Sequence, residues 1–102
     1  MEKLTLSCPA GQQMTKKVRV QVGIVSSGDM EVLFESSDSD LNLTVSILST
    51  SDNSAARWRN LFDRLTASSC LPAGRMWIHD FGATPGVARL RIEQSLEKAF
   101  YV

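Results

Sequence analysis

This sequence has no long apolar run, a single histidine, only two cysteines and no excess of charge of either sign. It lacks the roughly 20 consecutive apolar residues that a membrane-spanning helix needs. The 11 basic and 11 acidic side chains cancel, which argues against a nucleic-acid binder, because such proteins need a basic excess to displace counterions. The same balance gives no reason to expect contact with an anionic membrane surface. The N-terminal residues alternate like a strand and lack the apolar core of a secretory signal, so a cytoplasmic location is expected.

The scarcity of cysteine and histidine limits the chemistry of the chain. Cys8 and Cys70 form no short metal-binding motif, and in a cytoplasmic protein we expect packing residues rather than a disulfide. With one histidine, no metal site is expected. His79 precedes Asp80, but neighbouring residues of a strand point to opposite faces. This argues against an acid–base pair, and against a small enzyme that would use one.

The first half of the chain alternates between apolar and polar residues, which is the pattern of half-buried strands. The first run covers 4–8 and is followed by an expected polar loop over 9–16. The next two runs cover 18–24 and 30–35, and the short Ser/Gly/Asp break between them predicts a β-hairpin. After a second break over 36–40, a fourth strand is expected to place on one face Leu41, Leu43, Val45 and Ile47.

The second half changes to a helical period. Behind cap candidates at 52–54, apolar residues recur at three- and four-residue spacing, and this helix is expected to end near Cys70. Residues 75–81 alternate again, with Trp77 on the polar side. Thr84 suits the N-cap of a last helix and Pro85 its first position. The apolar stripe of the first helix consists of Trp58, Leu61, Phe62 and Leu65. The apolar side of the last helix consists of Val87 or Ala88, Ile92, Leu96 and Ala99.

The predicted order is therefore ββββαβα in a single domain over 1–102. Because every strand has one polar and one apolar face, we expect an α+β fold. Its form is a two-layer sandwich of a mostly antiparallel sheet with two helices on one face. Trp77 is then an exposed anchor for a partner, or a core residue if the sheet is covered on both faces.

One candidate site lies in the predicted hairpin turn. Ser27 is at its tip, Gly28 permits a positive φ that projects the serine outward, and Asp29 adds a negative charge. On the residues alone this is ordinary turn chemistry.

A second candidate lies where the last helix begins. Backbone amides and the helix dipole near Thr84 and Gly86 can hold a phosphate, or the segment can be a plain loop and cap. Arg89 and Arg91, with Arg75, can pair with phosphate oxygens. The residues alone favour the solvated side of a helix for these arginines.

Three stretches of the chain resemble the family of the delta subunit of malonate decarboxylase, its dedicated acyl carrier. They are 23–33, with Ser26 to Val32 at the centre, then 52–65, and the longest, 78–94. Their order and spacing fit over nearly the whole length. Carriers built as helical bundles place their serine after an aspartate at a helix start, which this chain does not.

The resemblance implies a non-catalytic carrier that bears a covalent 2'-(5''-phosphoribosyl)-3'-dephospho-CoA arm. The arm is joined by a phosphodiester to the serine two residues before an aspartate, as in the similar turn of the citrate lyase carrier. Here that is Ser27 before Asp29, with Gly28 between them and Ser26 as the neighbour to exclude.

The implied partners are the acyltransferase (alpha) and decarboxylase (beta, gamma) subunits and the transferase that attaches the arm. Within that assembly the carrier holds acetyl and malonyl thioesters while malonate is converted to acetate and carbon dioxide. Thr84, Gly86 and Arg89, in the longest matching stretch, are candidate contacts for arm phosphates or for a partner. The alternative is an unmodified small interaction subunit of a multienzyme complex, in which the turn is only a turn.

Overall fold

The computed structural model describes residues 2–11, 17–23, 30–37, 40–50, 54–68 and 71–100. Five strands and two helices follow in the order ββββαβα, so the predicted α+β class and element order are confirmed. The elements are β1 (Glu2–Pro9), β2 (Arg19–Val22), β3 (Met30–Ser36), β4 (Asn42–Ser49), α1 (Ala55–Ser68), β5 (Gly74–Asp80) and α2 (Pro85–Phe100). Among these residues no helix is long and apolar enough to cross a membrane.

The strands form one sheet in the order β1-β4-β5-β3-β2. Three of the neighbouring pairs are antiparallel, and β4 and β5 run parallel. The parallel pair follows from the connection, because α1 carries the chain from the end of β4 back to the start of β5. The sheet is therefore mostly antiparallel, as expected.

One face of the sheet forms the core together with both helices. Alternate residues of β2, β3, β4 and β5 are buried there, those of β1 are half-buried except for the buried Cys8, and α1 and α2 add the apolar stripes read from their spacing. Trp58, Phe62 and Leu65 of α1 are buried, while Leu61 is half-buried against them. The largest fully buried apolar side chains include Phe34, Phe62, Met30, Leu43, Leu65, Leu71, Met76 and Ile92.

Three expectations about element ends need correction. Pro9 belongs to β1 rather than to a loop. The strand expected over 18–24 is shorter, since β2 ends at Val22, and Ile24 lies outside the described residues. Leu41 was expected on the buried face of the fourth strand, but it is 76% exposed because β4 begins only at Asn42.

Only one of the two cysteines lies among the described residues. Cys8 is a buried free thiol in the core, as expected of a packing residue, whereas Cys70 lies outside the described residues. Burial raises the pKa of the Cys8 thiol, a hydrogen bond with Thr66 offsets part of the increase, and the charge of Asp63 adds to it.

Candidate functional site

The segment that contains the candidate turn joins one end of the sheet. Ser26, Ser27, Gly28 and Asp29 lie outside the described residues, so their predicted roles stay predictions. The strands on either side are described: β2 and β3 form the antiparallel hairpin expected from the sequence. Met30, the first residue of β3, pairs with Asp80, the last residue of β5. The segment 24–29 is thus attached where β4 and β5 end and where α2 begins soon afterwards.

Gly23 is the last described residue before this segment, and its backbone requires glycine. Its φ is +88°, and a Cβ built there would overlap the carbonyl oxygen of Met30. A side chain would therefore be opposed by left-handed strain and by a close approach of two main chains. In the alternating pattern Gly23 is an ordinary outward position of a strand, so sequence reasoning missed it as the start of the turn.

Asp80 is a buried carboxylate at the same end of the sheet. It is fully buried, and one carboxylate oxygen accepts hydrogen bonds from the amides of Gly82 (3.0 Å) and Ala83 (2.8 Å). The other oxygen accepts a hydrogen bond from the Ser49 hydroxyl at 2.9 Å. A buried carboxylate is tolerated when its oxygens find donors in this way. Asp80 therefore ties the ends of β4 and β5 to the turn that leads into α2.

A cation from α1 completes this cluster. The Arg57 guanidinium lies 3.9 Å from the Asp80 carboxylate, and its side chain is 44% exposed. An ion pair that is half open to water contributes little to stability. Its consequence is positional, since it leaves a positively charged group at the surface beside the end of the sheet that the segment 24–29 joins.

The start of α2 has the predicted cap. Thr84 accepts hydrogen bonds from the Val87 amide through its hydroxyl (3.3 Å) and from the Ala88 amide through its carbonyl (2.9 Å), and the helix starts at Pro85. Gly86 is exposed, and a Cβ there would meet no atom within 4 Å. The main chain at Gly86 is thus sterically open to an approaching anion, whereas the amides of Val87 and Ala88 donate to Thr84 and those of Gly82 and Ala83 donate to Asp80.

The candidate arginines do not lie together. Arg89 is half exposed and donates to Glu93 at 2.8 Å, an ion pair along the solvated side of α2. Arg91 is half-buried and donates to Gln94 at 3.4 Å. Arg75 lies near the opposite end of β5, roughly 16 Å of strand from Asp80. Of the three, Arg89 is the one near the first turn of α2 with an exposed guanidinium.

His79 and Trp77 lie on the face of the sheet away from the helices. His79 packs its ring against Phe81, with ring centroids 4.1 Å apart, while Asp80 points into the core. The two neighbouring side chains thus lie on opposite faces of the sheet, as expected for adjacent residues of a strand. Trp77 is half-buried on the same open face, so it is not a core residue.

Comparison with known proteins decides the family. The family model of the malonate decarboxylase delta subunit, an acyl carrier protein, matches residues 17–99. The chain is 54% identical over 99 residues to the malonate decarboxylase acyl carrier protein of Klebsiella pneumoniae, covering 97% of each. It is 49% identical over 98 residues to that of Azotobacter vinelandii, covering 96% of each. The chain belongs to the malonate decarboxylase delta subunit family.

A solved structure agrees with this membership. A chain in the crystal structure of a Pseudomonas malonate decarboxylase hetero-tetramer in complex with malonate superposes with a TM-score of 0.84 at 44% identity. The match covers 97% of this chain and 99% of the other. The resemblance that we drew from three stretches is confirmed, and the part of this delta subunit that the family model covers includes both the segment 24–29 and the start of α2.

Proposed function

We propose that this chain is the acyl carrier of a cytoplasmic malonate decarboxylase complex, with a phosphoribosyl-dephospho-CoA arm joined to Ser27 by a phosphodiester. The observation that carries the proposal is the 54% identity, over 97% of the chain, to a protein named malonate decarboxylase acyl carrier protein. When bound, the arm supplies a thiol that carries acetyl and malonyl groups as thioesters. The transferase (alpha) and decarboxylase (beta, gamma) subunits are the proposed partners that act on those groups.

The described residues next to the segment 24–29 fit a phosphate-rich arm. The first turn of α2, where Thr84 caps the helix and Gly86 leaves the main chain open, lies at the same end of the sheet as Met30. A helix N-terminus favours anions through its free amides and its dipole. The exposed guanidinium of Arg57 adds positive charge at this end.

The work of the chain in this proposal is to tether. Tethering an acyl group through a short linker raises its effective concentration at each partner site in turn. Ser27 is then an attachment point and needs no base beside it. This agrees with the described surroundings, since Asp80 is committed to three hydrogen bonds in the core and His79 lies on the other face of the sheet.

Intact-protein mass spectrometry tests the attachment. The chain is coexpressed with the arm-attaching transferase and the enzymes that make the precursor, and its mass is expected to increase by one arm. Ser27→Ala should abolish the increase, and the matched control Ser26→Ala should keep it. An unchanged wild-type mass beside a competently modified relative would refute the carrier proposal and favour an unmodified interaction subunit. A mass increase that survives Ser27→Ala but not Ser26→Ala would move the attachment by one residue.

A second experiment addresses the start of α2. Arg89→Ala is expected to slow arm attachment or turnover at least about threefold. This is the effect of losing a half-exposed ion pair of roughly 0.7 kcal/mol between Arg89 and an arm phosphate or a partner group. Glu93→Gln is the matched variant, because it removes the carboxylate that Arg89 now contacts while keeping the arginine. If Arg89→Ala changes neither rate, the proposed role of this arginine is wrong.

A further inference from the structure

β1 is an edge strand, and no strand of the described residues pairs with its outer side. It pairs with β4 on one side and stands at one end of the sheet order. An edge of this kind presents a row of main-chain donors and acceptors that can template another strand, so natural proteins usually blunt or cover it.

The pairing identifies which main-chain groups of β1 face outward. The Ala10 amide donates to the Leu41 carbonyl, which continues the β1–β4 register by one pair. Hydrogen-bonded and non-bonded pairs alternate in an antiparallel ladder. The amides and carbonyls of Leu4, Leu6 and Cys8 therefore face β4, and those of Lys3, Thr5 and Ser7 face outward.

Pro9 agrees independently with this assignment. It falls in the outward set, where a proline removes no ladder hydrogen bond, and prolines within sheets occur at such edge positions. Pro9 also lacks the amide hydrogen that an added strand would need at that position. The free donors of the edge are consequently limited to the stretch from Lys3 to Ser7.

A groove runs beside these outward groups. It has a volume of about 330 Å³ and lies between Thr5–Cys8 of the edge strand and three residues of α1, Arg59, Phe62 and Asp63. Residues three and four apart lie on one face of a helix, so the helical wall places the Arg59 cation and the Asp63 carboxylate together, above the buried ring of Phe62. An edge strand beside a helix is the arrangement in which extended peptides add to a sheet and place side chains in the groove.

We propose that an extended segment of another subunit of the malonate decarboxylase complex adds to β1 as an outer strand of this sheet. The segment hydrogen-bonds to the outward groups of Thr5 and Ser7 and places one small side chain in the groove, over the half-buried Leu6. Arg59 and Asp63 flank that side chain and fix the direction of the segment by charge. The inference rests on the proposed function for the identity of the partner.

A different subunit, and not a second copy of this chain, is the occupant that the comparison favours. The chain of the same fold in the Pseudomonas structure belongs to a hetero-tetramer. If β1 paired with β1 of a second copy, the charged groove residues Arg59 and Asp63 would not be needed to select the partner.

Amide hydrogen exchange with residue resolution tests the proposal, on the free full-length chain and on the same chain copurified with the alpha, beta and gamma subunits. In the free chain the amides of Thr5 and Ser7 should exchange rapidly, while those of Leu4 and Leu6 should be protected by β4. In the complex Thr5 and Ser7 should slow at least about tenfold. Exposed Thr5 and Ser7 amides in a complex that contains the chain would overturn the proposal. So would protection that rises with chain concentration in the absence of the other subunits.

A backbone variant gives an independent measurement. Ser7→Pro removes an outward amide and no bond to β4, and it should weaken coelution with the complex at least about tenfold, whereas Ser7→Ala should coelute like the wild type. Thermal unfolding of both variants shows whether the proline has disrupted the fold. If it has, the exchange measurement decides.

The intact mass of the same samples separates this proposal from the proposed function. If the chain lacks the arm but the β1 edge is protected in the complex, only the proposed arm attachment is contradicted. If the chain bears the arm but the β1 edge stays unprotected in the complex, only the proposed strand addition is contradicted. A wild-type chain that does not coelute with the other subunits overturns both.

Discussion

Replacing Asp80 is expected to destabilise the protein strongly although it lies at the very end of a strand. Asp80→Ala removes the acceptor for the Ser49 hydroxyl and for the amides of Gly82 and Ala83. Ser49 is buried, and the loss of a buried hydrogen bond to a charged acceptor costs about 1.5–3 kcal/mol. The two amides are nearer the surface, where water replaces part of their lost bonds, so they add roughly 1 kcal/mol together. The expected loss is about 3 kcal/mol.

Matched variants separate the hydrogen bonds from the ion pair. Asp80→Asn keeps an oxygen for both amides and offers a donor to the Ser49 oxygen, so it should cost only about 1 kcal/mol. Arg57→Ala removes a contact at 3.9 Å that is half open to water, and it should cost less than about 1 kcal/mol. The order of destabilisation is therefore Asp80→Ala, then Asp80→Asn, with Arg57→Ala smallest or equal to the asparagine variant.

Urea unfolding at neutral pH measures these values, with the fluorescence of the buried Trp58 and the half-buried Trp77 as the probe. Against a total stability of about 5–15 kcal/mol, a loss of 3 kcal/mol corresponds to a Tm lower by roughly 12–24 °C in a domain of this size. An Asp80→Ala loss below about 1 kcal/mol would refute the argument that its carboxylate is needed by buried donors. An Arg57→Ala loss as large as that of Asp80→Ala would show that the ion pair, and not the hydrogen bonds, dominates.

Three further predictions concern other parts of the chain. Gly23→Ala should lower the free energy of unfolding in urea by at least about 2 kcal/mol and slow arm attachment, because φ is positive and the Met30 carbonyl blocks a Cβ. Gly82→Ala is the matched control, because its φ is +108° but the space around a Cβ is open, and it should cost about 1–2 kcal/mol. Equal losses would contradict the close approach at Gly23. Thr84→Ala removes the cap of α2 and should cost about 1 kcal/mol, and a loss near zero in urea would show that its hydroxyl is dispensable. Because burial raises the pKa of Cys8 above its ordinary value of 9.0, the stability linked to its neutral thiol is complete below pH 9 and is lost as the pH rises through the raised value. Cys8→Ala should flatten the alkaline decline in Tm, and an unchanged decline would contradict this linkage.

The fold was predictable because both of its layers are half-buried and therefore periodic. Alternation placed Met30, Val32 and Phe34 inward, and a helical stripe placed Trp58 and Phe62 inward, and each of these five side chains is buried. Element ends were less predictable, because one residue such as Leu41 can continue an alternating pattern before the strand begins. The parallel pairing of β4 with β5 had a usable signal, since a helix between two strands indicates a parallel crossover.

The site was predictable only in part. Asp80 continues the inward alternation of Met76 and Ile78, and that parity was a signal of burial which the sequence analysis did not use. The backbone conformation of Gly23 leaves no trace in the pattern. The chemistry of Ser27 has no local physical signature at all, because a serine in a polar turn has the same composition whether or not it is modified. Family resemblance supplied that role, and it stays a proposal.

The order of strands in the sheet has a consequence for how the chain reaches its native state. The hairpin of β2 and β3 pairs strands that are neighbours in sequence. The pairing of β1 with β4 and that of β3 with β5, in contrast, join residues far apart in sequence, such as Glu2 with Ser49 and Met30 with Asp80. Closing such long loops costs entropy before any contact repays it, so distant strand pairs slow folding. We therefore expect the hairpin that carries Ser27 to form early, while the strands that fix its base join late. A transferase that recognises the completed end of the sheet would then modify only chains that have finished folding.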